Sequence, residues 1–103
     1  MQYNKVGETM YKIMIVEDDE LISKKLDSFL KSWNYDVNRV VDFYNVMDVF
    51  QSFNPDLVLM DITLPYLNGY LWTEKIREGS KVPIIFISKR NPNYLADNQI
   101  SKR

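Results

Sequence analysis

Three apolar segments of this chain run straight into oxygen-bearing side chains. "KIMIV" leads into Glu17-Asp18-Asp19, "DLVLM" into Asp61, and "PIIFI" into Ser88. Carboxylates gathered in one crevice repel each other, and a divalent cation relieves that repulsion. Mg2+ suits such a set, because it takes a few carboxylate oxygens and keeps waters and substrate phosphate oxygens for the rest. An oxygen-only site also matches a chain with no cysteine and no histidine. One carboxylate can serve instead as a nucleophile, since aspartate accepts a phosphoryl group to give an aspartyl phosphate. That transfer needs in-line positioning and positive charge on the phosphoryl oxygens. In such a site Glu17 and Asp18 hold the metal, Asp61 faces it, and Ser88 donates a hydrogen bond to a phosphoryl oxygen.

Composition narrows the alternatives. The chain has 103 residues, enough for one domain, and 46% of them are hydrophobic, too many for a disordered chain. Without cysteine there is no disulfide framework. Without histidine there is no His-based triad, His-ligated zinc or His phosphocarrier. With 13 basic and 14 acidic residues the net charge is −1, so no global basic field attracts nucleic acid. The apolar runs are far shorter than the ~20 residues that cross a bilayer, and "MQYNKVGETMYK" has no apolar signal core. A cytoplasmic protein without membrane contact is expected. Residues 1–9 lack periodicity and read as a disordered extension or tag, with Met10 as the natural start and the domain over 10–103.

The elements that must position these groups follow from periodicity. Residues 11–16, "YKIMIV", predict a strand. Ile22, Leu26, Phe29, Leu30 and Trp33 form a helical stripe, capped by Asp18 or Asp19. "YDVNRV" predicts a short strand, and Val46, Val49, Phe50 and Phe53 one face of a second helix, stopped by Asn54-Pro55. "DLVLM" is apolar at consecutive positions, as in a strand covered on both faces. "LPYLNG" predicts a turn in which Pro65 fixes φ and Asn68-Gly69 permit positive φ. "YLWTEKIREG" predicts a third helix ended by Gly79, and "VPIIFIS" a further strand. Strands alternating with helices mean a parallel sheet, whose ligands bind outside the carboxyl ends of its strands. Glu17, Asp18, Asp61 and Ser88 then share one rim. Asp19 and Glu20 belong to the first helical turn, which favours negative charge, and are left out of the metal shell. Met14, Met47 and Met60 read as core, and Tyr66 and Trp72 as surface aromatics.

"IMIVEDD", "LVLMDITLPYLNGY" and "PIIFIS", in that order, resemble the receiver domain of bacterial two-component response regulators of the winged-helix type. The resemblance spans roughly residues 11–88. It implies an α/β, flavodoxin-like, doubly wound parallel sheet and phosphoryl transfer from a sensor histidine kinase. It implies Asp61 as phosphoacceptor, Asp18 as a direct Mg2+ ligand, Glu17 as a water-mediated one, the Thr63 carbonyl as a further ligand and Ser88 as the switch hydroxyl. It implies a phosphorylation-regulated signalling domain rather than an enzyme, limited to self-phosphorylation and slow self-dephosphorylation. The stretch 52–78 is similar in style to regulators of envelope and antimicrobial-peptide stress in Firmicutes.

After Ser88 the sequence departs from that family. "KRNPNYLADNQISKR" offers no fifth apolar strand, no lysine-proline pair and no aromatic switch residue. A receiver incomplete at its carboxyl end is expected, with no direct DNA binding. The open edge of the fourth strand would then favour a homodimer or swapped assembly. Lys89 or Lys81 is a poor substitute for the family lysine, because neither matches its position. Two other functional classes remain: a degenerate receiver acting only as an interaction module, and an aspartate-based phosphohydrolase, for which "DIT" fits Asp-x-Thr. Singly, each feature has a plain structural reading, Asp61 as a turn cap and Ser88 as a strand terminator; jointly they favour the phosphoacceptor.

Overall fold

In the computed structural model, residues 10–88 are described. Seven elements alternate: β1 (Lys12–Val16), α1 (Glu20–Ser32), β2 (Asp36–Arg39), α2 (Val46–Phe53), β3 (Leu57–Asp61), α3 (Gly69–Arg77) and β4 (Ile84–Ile87). The strands form one parallel sheet in the order β2-β1-β3-β4. The chain starts in the middle, turns outward to β2, then crosses back past β1 to β3. The switch point therefore lies between β1 and β3, where ligands bind in open sheets of this kind. The extension over residues 1–9 and every expectation for the stretch after Ser88, Lys89 included, lie outside the described residues.

The register explains why β1 and β3 read as continuous apolar runs. Met14 pairs with Val58 and Val16 with Met60, so these four share one face. They pack with Val40, Val46, Trp72 and Ile76 in the main core beneath α2 and α3. Ile13 and Ile15 point to the other face, toward α1, and are equally buried. Trp72 is 3% exposed, which corrects its reading as a surface aromatic. It lies one helical turn before Ile76 on α3, and both face the sheet.

The stripe predicted for α1 is only partly covered. Ile22, Leu26 and Leu30 are half-buried, whereas Phe29 is 60% and Trp33 66% exposed. Trp33 is the C-cap, past the last helical residue, and Phe29 lies on the flank of the stripe; their rings meet edge-on at 6.4 Å. Asp19 caps α1, its Oδ1 accepting from the Leu21 and Ile22 amides at 3.0 and 3.2 Å. α2 ends on Asn54 in the left-handed region (φ 52°), a conformation asparagine tolerates. α3 ends without one: Gly79 simply donates its amide to the Ile76 carbonyl at 3.1 Å.

Candidate acidic site at the sheet rim

Because Val16 and Met60 are register partners, the residues that follow them, Glu17 and Asp61, leave adjacent strands side by side. Glu17 is 2% and Asp61 0% exposed, while Asp18 is exposed. Carboxylate oxygens of Glu17, Asp18 and Asp61 all lie within 4.8 Å of one another. When all three are ionised they repel one another, the two buried ones most strongly because solvent screens exposed Asp18. Buried Asp61 is oriented from its own loop, the Thr63 amide donating to its Oδ1 at 3.2 Å. Glu17 Oε2 accepts from the Asp19 amide at 2.9 Å.

The donor chemistry decides what fits. Three carboxylates and no imidazole or thiolate make a hard, oxygen-only set that favours a small divalent cation over zinc or copper. The cluster can therefore hold a metal. Asp19 and Glu20 stay outside it: Asp19 is spent on the α1 cap, and Glu20 pairs with Lys24 at 3.2 Å.

Asp61 is the register partner of Ile87, and the Ile62 amide donates to the Ile87 carbonyl at 3.2 Å. Ser88, next in the chain, is exposed on the same rim as the three acids. Lys81 precedes β4 and so lies toward the opposite, amino-terminal rim, away from Asp61. Among the described residues β4 is an edge strand, as is β2 on the other side, and its Ile85 and Phe86 are 52% and 39% exposed.

The loop after Asp61 holds two features that spacing did not reveal. Asn68 has φ −74° and caps α3 by accepting from the Leu71 amide at 3.0 Å, so the Asn68-Gly69 pair does not supply the positive φ. Tyr66 does, at φ 69°. A side chain there costs on the order of 1 kcal/mol. Gly69 serves close approach: a Cβ would overlap the Asp61 carbonyl oxygen and stand 3.0 Å from Met60 Cγ. Its amide donates to the Ile62 carbonyl at 2.8 Å, closing the loop. Only a Gly spaced behind the acid signals this in the sequence, and its reason is invisible there.

Comparison with known proteins adds a family. Residues 13–101 match the family model described as the response regulator receiver domain. Over 80 residues the chain is 44% identical to the response regulator protein GraR of Staphylococcus aureus, covering 78% of this chain and 36% of that protein. It thus spans about a third of the length of the curated relatives it matches. Among solved structures, the N-terminal domain of the lantibiotic response regulator NsrR, a nisin resistance regulator, superposes with a TM-score of 0.72. It is 41% identical and covers 86% of this chain and 79% of that one. The BeF3-activated receiver domain of Klebsiella pneumoniae RstA gives 0.73 at 27% identity, covering 82% and 72%.

Proposed function

The chain belongs to the response regulator receiver domain family, and on that premise we propose that Asp61 accepts a phosphoryl group from a sensor histidine kinase, with Mg2+ held by Glu17, Asp18 and Asp61. The observation that carries this reading is the meeting of three carboxylates from two adjacent strand ends within 4.8 Å, with Asp61 fully buried among them. A bound Mg2+ would supply positive charge to the phosphoryl oxygens and offset the repulsion among the acids.

The chain's own groups do the rest. An Asp61 carboxylate oxygen forms a new bond to phosphorus while the bond from phosphorus to the donor breaks. The donor, a phosphorylated imidazole on the kinase, keeps the electron pair. The Thr63 amide at Asp61 Oδ1 fixes the carboxylate plane before attack. The Thr63 carbonyl is a further metal ligand on this reading. Ser88, beside Asp61's strand partner Ile87, would donate its hydroxyl to a phosphoryl oxygen and read out the modification on this reading. The domain gates signalling by shifting a two-state equilibrium, not by turning over substrate. Likeness to NsrR supports a place in a response to lantibiotics.

Among the described residues no helix is long and apolar enough to cross a membrane. The β4 edge, unpaired among the described residues, and the exposed Ile85 and Phe86 on its two faces support a homodimer formed through that strand. Light scattering would give a doubled mass, and a single-chain mass at all concentrations would refute it.

The direct test is incubation with acetyl phosphate and Mg2+ followed by intact-mass measurement. A single phosphoryl adduct, absent when EDTA removes the metal, is expected. No adduct with metal binding preserved would leave an interaction module without the chemistry.

A further inference from the structure

The residue in the least favourable backbone conformation lies five positions after Asp61. Tyr66 has φ 69°; among the described residues the other two non-glycine positions with positive φ are asparagines, Asn34 and Asn54, which tolerate it. An aromatic side chain stays there only when its surroundings hold it. Tyr66 is 64% and Tyr44 70% exposed, and the contacts the Tyr66 ring does make are with other rings. The Tyr66 ring is 4.7 Å from that of Tyr44 and 6.4 Å from that of Trp72, both within the range of favourable aromatic pairs. Trp72 is buried in the core. Tyr44 stands in the β2–α2 loop, which Asp42 organises by accepting from the Tyr44 amide at 3.1 Å and the Asn45 side chain at 2.7 Å.

We propose that Tyr44 and Tyr66 form a latch that positions the loop of residues 62–68 for metal binding. The loop is fixed at both ends, by the Thr63 amide on Asp61 Oδ1 and the Gly69 amide on the Ile62 carbonyl. Between those points Leu64 and Leu67 pack against the core, and Tyr66 ties the loop to a second one. Tyr44 thereby acts on the acids through Tyr66 and Thr63, without touching them; it is a positioning residue. The inference rests on the reading of the acidic cluster as a metal site, and makes the β2–α2 loop part of that site.

The test uses Mn2+ as probe, with the full chain, following loss of the free-ion electron paramagnetic resonance signal. Tyr44→Ala should bind Mn2+ about two- to tenfold more weakly, the worth of one aromatic pair. Tyr44→Phe, which keeps the ring, should bind as the wild type does. Tyr66→Gly should also bind more weakly, yet its urea midpoint should hold, because glycine is at ease at φ 69°. That separation of affinity from stability is what a merely structural role would not produce. Asp61→Asn is measured alongside. If it loses affinity while Tyr44→Ala and Tyr66→Gly bind like the wild type, the latch is overturned and the metal site stands. If Asp61→Asn itself binds as tightly as the wild type, the metal-site reading fails and the latch falls with it.

Discussion

Asp61→Asn is expected to abolish the phosphoryl adduct formed with acetyl phosphate and Mg2+, while leaving the fold intact. Asparagine has nearly the same shape, and its carbonyl oxygen can still accept from the Thr63 amide, now at 3.2 Å from Oδ1. The β3 register with β1 and β4 does not depend on the charge. What disappears is the nucleophilic carboxylate. Loss of label with the fold preserved therefore assigns the chemistry to one side chain. A variant labelled as fully as the wild type would move the acceptor elsewhere, with Asp18 and Ser88 the first positions to map by fragmentation.

The same substitution carries a thermodynamic signature. Removing one of three carboxylates within 4.8 Å removes two repulsive pairs, so the metal-free variant should unfold at an equal or higher urea concentration than the wild type. Mg2+ should reverse that order. A ligand at a hundred times its dissociation constant stabilises the folded state by about 2.7 kcal/mol, and the wild type should collect that gain where the variant largely does not. Equal Mg2+ stabilisation of the two proteins would show that Asp61 is not a ligand, whatever the labelling says.

Asp61 was legible in the sequence because a buried parallel strand has few reasons to end on an acid, and because Glu17 and Ser88 ended strands in the same way. Parallel pairing then placed all three on one rim, and the register confirms that neighbourhood. Other features resisted for physical reasons. Periodicity assigns Phe29 and Trp33 to the α1 stripe but cannot say how far the sheet reaches beneath it. Trp72 had no stripe to announce it, since α3 sets only Trp72 and Ile76, with Gly69 at its start, into the interior. The usual residues for the positive φ in "LPYLNG" are Asn68-Gly69, yet it falls on Tyr66, whose ring meets those of Tyr44 and Trp72 from other segments. Contacts between distant segments are what a local reading lacks.

Gly69→Ala is expected to destabilise the domain by about 3 kcal/mol and to weaken metal binding with it. Helix propensity argues the other way: alanine outranks glycine by up to about 1 kcal/mol in a helix, and the backbone here needs no positive φ. Steric contact decides the sign. The added methyl would overlap the Asp61 carbonyl oxygen, a backbone atom in a strand paired on both sides, and press on Met60 Cγ at 3.0 Å. A flexible side chain could swing aside; the end of β3 cannot move without disturbing its pairing to β1 or β4. Relief must come from lifting α3 away or from shifting Asp61, and either outcome loosens the hydrogen bond from the Gly69 amide to the Ile62 carbonyl. The urea midpoint and the Mn2+ affinity should therefore fall together. Here they are coupled through one backbone atom, whereas in Tyr66→Gly they should separate. A Gly69→Ala protein as stable as the wild type would show that α3 can retreat without penalty, and that Gly69 is not what holds the helix against the acid.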